Sequence, residues 1–300
     1  TDPDGSVTTS GISTALLAFN ENNAAKIALW EYTDSASGDM GYVYGQPTIM
    51  KVRTSATSYA WAVIFGNGYN SDNENAALYI VNAVTGALIK KIVLNPVYSG
   101  WRNTSGSNGN PKNSNGLSMP AVVDTDGDYV ADRVYAGDLR GNMWRIDLTD
   151  NNPNNWDSKY SGSGNPRPLF QAVDGSGNEQ PITVQPEVGA HPDGQSGYMV
   201  YFGTGRYIAT GSGTSDNAAS TSPVQTFYGV WDDSYSGSDT PVTRSKLLPQ
   251  TISAATVSST AVRQVTNTTI QWGSSGTCAS DGTGNCLGWR DDLLTATTGS

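Results

Sequence analysis

Short apolar runs broken by tight polar turns recur along this chain, and two of them align without a gap. Ala15-Leu-Leu-Ala-Phe-Asn20-Glu-Asn-Asn-Ala-Ala25-Lys-Ile27 matches Ala77-Leu-Tyr-Ile-Val-Asn82-Ala-Val-Thr-Gly-Ala87-Leu-Ile89. Each copy has an apolar run, an Asn, a turn and a second apolar run, the pattern of a β-hairpin. Looser copies of the first strand are Met143-Trp-Arg-Ile-Asp147 and Phe227-Tyr-Gly-Val-Trp-Asp232. The polar residues that end these strands stand at 20, 82, 147 and 232.

A second repeat interleaves with the first. Gln46-Pro47, Met119-Pro120 and Gln185-Pro186 each open a short apolar run, and each is followed by a strand ending in glycine, at Gly66, Gly137 and Gly203. Proline can lead a strand because the first residue owes the ladder no donor. Together the repeats predict an all-β chain with about four short strands per unit, the pattern of a β-propeller blade. A β-sandwich with coincidental hairpins is the competing architecture, and the constant order of the two repeats argues against it. The chain enters on the third strand of a blade, at Leu16, and its last strand pieces are read at Thr268-Thr-Ile-Gln-Trp272 and Gly288-Trp289. The expectation is one propeller domain or fragment over residues 1–300. It would be a partial set of about four blades of a larger ring, with residues 1–14 as a disordered or linker start.

Composition sharpens this picture. With 34 Gly and 14 Pro, and only 15% charged residues, the chain suits short strands and turns rather than helices. Its 37% hydrophobic content is too high for disorder. A net charge of −10 argues against nucleic acid and anionic membrane surfaces, and no stretch reaches the roughly 20 apolar residues of a membrane span. The single histidine, His191, reads as a turn residue in Gly189-Ala-His-Pro-Asp-Gly194 and leaves little for His-based catalysis or metal sites. Cys278 and Cys286, with seven polar or small residues between them, can close a small disulfide loop; two free thiols are the alternative. Paired, sparse cysteines with a Ser/Thr/Asn-rich surface suggest an exported protein.

The sharpest chemical signal is Asp124-Thr-Asp126-Gly-Asp128-Tyr-Val130-Ala-Asp132. Carboxylates at loop positions 1, 3, 5 and 9, with the carbonyl of Val130 at position 7, follow the spacing with which an EF-hand-like loop wraps Ca²⁺. So many acids within nine residues repel one another unless a hard dication neutralises them. The loop falls between the first two strands of its blade. The equivalent connections, Arg53-Thr-Ser-Ala-Thr-Ser58 and Gly189–Gly194, have no such cluster. Two departures from an EF-hand are plain: Tyr129 replaces the position-6 glycine, and Tyr135 stands where the bidentate Glu would be.

Weaker candidates are Asn70-Ser-Asp-Asn-Glu-Asn75, as a second ion loop, and Gly137-Asp-Leu-Arg-Gly-Asn142. The latter resembles a phosphate loop but lacks the Gly-Lys-Ser/Thr continuation and is better read as a hairpin turn. Asn103 and Asn267 head glycosylation sequons, and Asp2-Pro-Asp-Gly5 reads as a frayed terminus. Eight Trp and 15 Tyr can stack on sugars or fill blade cores.

Leu29-Trp-Glu-Tyr-Thr-Asp34, Gly41–Pro47, Val63–Ser71, Leu78–Val81, Asn115–Pro120 and Asp132–Leu148 together resemble the C-terminal domain of PilY/PilC-type type IV pilus tip adhesins and biogenesis factors. The resemblance is strong over residues 15–210 and weak from there to Gly288-Trp289. It implies a modified, quinoprotein-like β-propeller with one calcium loop. The ligands would be Asp124, Asp126, Asp128, the Val130 carbonyl and Asp132. It further implies a non-enzymatic role at the pilus tip or outer-membrane surface, reached through the periplasm, with minor pilins and a host or abiotic surface as partners. Pilus biogenesis, adhesion, virulence and twitching motility go with that role. An Arg-Gly-Asp motif, carried by some members of the family, is absent from this chain. The competing functions are a quinoprotein-like dehydrogenase and a lectin-like carbohydrate-binding propeller.

Overall fold

The computed structural model describes residues 29–34, 36–94, 115–162, 165–206, 224–233, 242–273 and 277–293. The Ala15–Ile27 hairpin, Asp2–Gly5 and Asn103 lie outside them. The described chain is built of β-strands and two short 3₁₀ turns, Pro153–Asn155 and Arg244–Lys246.

Blade I is a four-stranded antiparallel meander of β1 (Thr48–Arg53), β2 (Tyr59–Gly66), β3 (Ala76–Asn82) and β4 (Leu88–Leu94). Blade II pairs β5 (Ala121–Val123), β6 (Arg133–Gly137) and β7 (Asn142–Asp147) in the same order. Its fourth position is shared by β8 (Asp157–Ser158) and β11 (Phe170–Gln171), which both pair with β7. Between them β9 (Tyr160–Gly162) and β10 (Asn165–Arg167) form a small separate ribbon. Blade III runs β12 (Glu187–Ala190), β13 (Tyr198–Gly203) and β14 (Thr226–Asp232), closed by β17 (Gly288–Asp292). A hairpin of β15 (Leu248–Val257) and β16 (Thr260–Val265) extends that sheet, with β15 running parallel to β17. The Pro-led and glycine-ended strands thus pair in all three blades as expected. The expected strand at Thr268–Trp272 does not form. This segment is a strap held by one bridge, Trp272 to Cys286, because Gln250 takes its backbone at Thr268 through side-chain hydrogen bonds.

The blades stack face to face, which explains why β3 reads as an unbroken apolar run rather than an alternating one. Leu78 and Ile80 face blade II and pack with Val134, Ala136, Trp144 and Ile146. Tyr79 points the opposite way, against Phe65, Trp30 and Tyr32. Tyr135 and Met143, on the other face of blade II, pack with Val200, Phe202, Tyr228 and Val230 of blade III. Fully burying one such Leu, Ile or Phe contributes about 1.5–3 kcal/mol. The second interface also encloses an ion pair, Arg145 Nη1 to Asp232 Oδ1 at 2.9 Å, with the Tyr135 and Tyr160 hydroxyls donating to the same carboxylate. Paired and hydrogen-bonded this way, a buried charge is tolerated; a lone one is not.

Candidate metal site

The acidic loop occupies the whole β5–β6 connection. Its mouth is closed by the Asp132 amide, which donates to the Val123 carbonyl at 3.0 Å. Its far side docks on blade I, where the Ala131 amide donates to the Lys51 carbonyl at 2.8 Å. Within this frame the loop winds so that oxygens of Asp124, Asp126 and Asp128 all come within 4.8 Å of one another. Among the described residues they are the one cluster of this kind.

Backbone amides aim the first carboxylate. Asp124 Oδ1 accepts from Gly127 at 2.7 Å and Asp126 at 3.3 Å, while Oδ2 accepts from Tyr129 at 2.8 Å. Desolvation pushes the Asp124 carboxyl up, but these donors together outweigh it and hold it below the ordinary carboxylate range. Asp126 Oδ1 accepts from the Asp128 amide at 3.1 Å, and Asp128 Oδ1 from the Val130 amide at 2.8 Å. Such Asx turns satisfy the loop backbone locally. The backbone bends as the EF-hand comparison requires: Tyr129 adopts a φ of +64°, and the residue is 79% exposed. A left-handed tyrosine costs on the order of 1 kcal/mol, which glycine would avoid.

The other expected ligands are placed differently. Asp132 is buried, and its Oδ2 accepts from both the amide and the hydroxyl of Thr125, at 2.7 and 2.6 Å, so it stands outside the trio. Val130 is buried at the seam with blade I and forms a bridge with Lys51. Sequence reasoning missed Arg53, whose Nη2 reaches Asp128 Oδ2 at 3.2 Å from the end of β1. No local signal marks that contact, since 75 residues separate the partners. Clustered carboxylates, all hard oxygen donors, are a donor set that fits Ca²⁺.

The remaining candidates resolve into structural roles. Asn73 and Asn75 turn their amides onto Asp39, whose other oxygen binds Lys91 at 2.7 Å, so this segment presents donors rather than a cation site. Gly137–Asn142 is the β6–β7 hairpin turn, pinned by the fully buried Asp138 carboxylate, which accepts from Asn115, Asn142 and Trp144 side chains. Burial raises the Asp138 carboxyl in spite of these donors. His191 is buried, its ring set between Trp231 and Trp272 at centroid distances of 4.7 and 4.3 Å. Cys278 and Cys286 form a disulfide. No helix among the described residues is long and apolar enough to cross a membrane.

Comparison with known proteins agrees with this architecture. The PilY1 beta-propeller domain family matches residues 19–263. A type IV pilus biogenesis factor PilY1 homolog of Xylella fastidiosa is 42% identical over 238 residues, covering 79% of this chain and 15% of that protein. Type IV pilus biogenesis factor PilY1 of Pseudomonas aeruginosa is 35% identical over 301 residues, covering 93% of this chain and 24% of that protein. The crystal structure of the Pseudomonas aeruginosa PilY1 C-terminal domain superposes with a TM-score of 0.66 at 33% identity, over 90% of this chain and 54% of that one. The chain therefore spans less than a quarter of the length of these curated relatives.

Proposed function

The chain belongs to the PilY1 β-propeller family, and from that premise we propose that it is a calcium-holding, non-enzymatic module of a type IV pilus biogenesis factor. In this reading it works outside the cell, at the pilus tip or outer-membrane surface, with minor pilins as partners. There it supports pilus assembly, surface or host adhesion and twitching motility. The relatives are named as pilus biogenesis factors, and the disulfide suits an oxidising compartment.

The observation that carries the metal reading is the convergence of Asp124, Asp126 and Asp128 on one connection whose two sister connections lack acids in that arrangement. Asp124, Asp126 and Asp128 would hold the ion, with Asp132 and the Val130 carbonyl completing the set by family resemblance. Bound calcium would supply neutralising charge and fix the loop. The chain's own contribution is preorganisation: Gly127 and Tyr129 amides aim Asp124 before any ion arrives, and the Lys51 backbone ties the loop to blade I. A loop held this way transmits its order to the blade I–blade II seam.

Calorimetric titration of chelator-treated protein with calcium tests the reading. Wild type should give a saturable one-site heat. Asp124→Ala should weaken binding roughly a hundredfold, about 2.7 kcal/mol. An absence of heat in wild type, or an unchanged Asp124→Ala titration, removes the metal from the account.

A further inference from the structure

On the face of blade III away from blade II, the strap 266–272 and the sheet border an open groove of about 540 Å³. That lies within the roughly 300–1,000 Å³ typical of small-ligand sites. Its walls carry Phe227, Trp272 and Trp289 beside Asp193, Asn267 and Asp291. We propose that this groove is a binding site for a neutral saccharide.

The aromatic walls are built, not incidental. Trp289 lies down on the Gly229 backbone, where an added Cβ would stand 2.7 Å from its Cε2 and Nε1; only glycine leaves that room. Phe227 braces the indole at 5.6 Å between ring centroids and Tyr201 at 6.3 Å. Trp272 is fixed edge-on to His191 and by the Cys278–Cys286 loop, through Gly273 N–H to Cys286 C=O at 3.1 Å and Cys286 N–H to Gln271 C=O at 2.8 Å. Such rings offer electron-rich faces to the C–H groups of a sugar ring.

The polar groups beside them are uncommitted. Trp30, Trp144, Trp156 and Trp231 all donate their indole N–H to protein acceptors. Trp272 and Trp289 donate to no group among the described residues, and neither the Asp193 carboxylate nor the Asn267 amide makes a side-chain hydrogen bond there. Asp193 and Asn267 are exposed, so their polar atoms are open to a ligand that can both donate and accept. Hydroxyls both donate and accept, whereas an ammonium ligand would use only the acceptors. Among the described residues no Lys, Arg or His lines the groove, which disfavours an anionic ligand.

The groove is independent of the metal loop, and the experiment keeps the two apart. Tetraacetylchitotetraose, cellotetraose and maltotetraose are titrated into the protein at millimolar concentration, following tryptophan fluorescence, with tetragalacturonate and tetralysine as charged controls. At least one neutral probe should bind saturably. Trp289→Ala should weaken it at least tenfold, and Asp193→Ala and Asn267→Ala, both at exposed positions, about tenfold each with unchanged melting temperature. Binding of only a charged probe, binding of none, or neutral binding indifferent to the Asp193→Ala and Asn267→Ala variants overturns the proposal. A calcium titration on the same samples should be unchanged in every variant, so a failed groove and a failed metal loop give different results.

Discussion

The connection between the first two strands of a blade is made three ways in this molecule, and blades II and III show the sharpest contrast. In blade III the connection is anchored by a buried ring, His191 between Trp231 and Trp272, which needs no ion. In blade II the corresponding segment has an exposed tyrosine at Tyr129, and its turn is organised by carboxylates. Blade I uses neither; its short connection satisfies itself through Thr54 and Ser55 amides donating to the Ser58 carbonyl. The same topological task can therefore be met by packing, by backbone hydrogen bonds, or by a charge cluster. Of the three, the charge cluster is the one that the proposed calcium ion would stabilise.

The contrast can be broken from the packing side first, where the effect is largest. Replacing His191 by Ala leaves a void beneath two indoles, with an expected loss of about 3 kcal/mol in unfolding free energy. Denaturant titration should show the same loss with calcium and with chelator; recovery on adding calcium would mean that the two connections are not independent. A smaller effect tests the charge side. Arg53 holds Asp128 across a partly exposed 3.2 Å contact, and such pairs contribute roughly 0.2–1 kcal/mol. Removing this competing cation with Arg53→Ala should tighten calcium binding by up to about fivefold in calorimetry. Weaker binding would instead make Arg53 part of the support for the loop.

The smallest effect is one of pH. Burial holds the His191 imidazole below its ordinary 6.5, against the opposing pull of Asp193. The fold therefore keeps the ring neutral, and the stability this contributes above pH 6.5 is lost as the pH falls through the lowered value. Melting temperatures taken in chelator should fall over that window in wild type and stay flatter in His191→Phe. Equal slopes would show that the ring adds nothing to the pH response.

Much of this could be read from residues alone, for physical reasons. Pro47, Pro120 and Pro186 open strands because their missing donors cost nothing there, and Gly66, Gly137 and Gly203 end the partner strands. The acidic loop was legible because its spacing is local. What stayed hidden was non-local or chemically quiet. The β15–β16 hairpin turns at Ser258 and Ser259, both with positive φ, where Asn-Gly would have announced the turn. Its strands are rich in small and polar residues and largely exposed, so they carry no clear alternation. The strand piece at Gly288-Trp289 is legible and opens β17, but its pairing with β14, which ends 56 residues earlier, is too distant for any repeat to flag. Asp132 sits at a ligand position in the pattern, yet Thr125 claims one of its oxygens, a competition that spacing does not reveal.

The central claim, that the blade II connection holds calcium, is tested most directly by diffraction. Crystals grown with calcium should give an anomalous difference peak among the carboxylates of Asp124, Asp126 and Asp128, and crystals of Asp124→Ala should lack it. A wild-type map with no peak between those three residues at saturating calcium would contradict the claim.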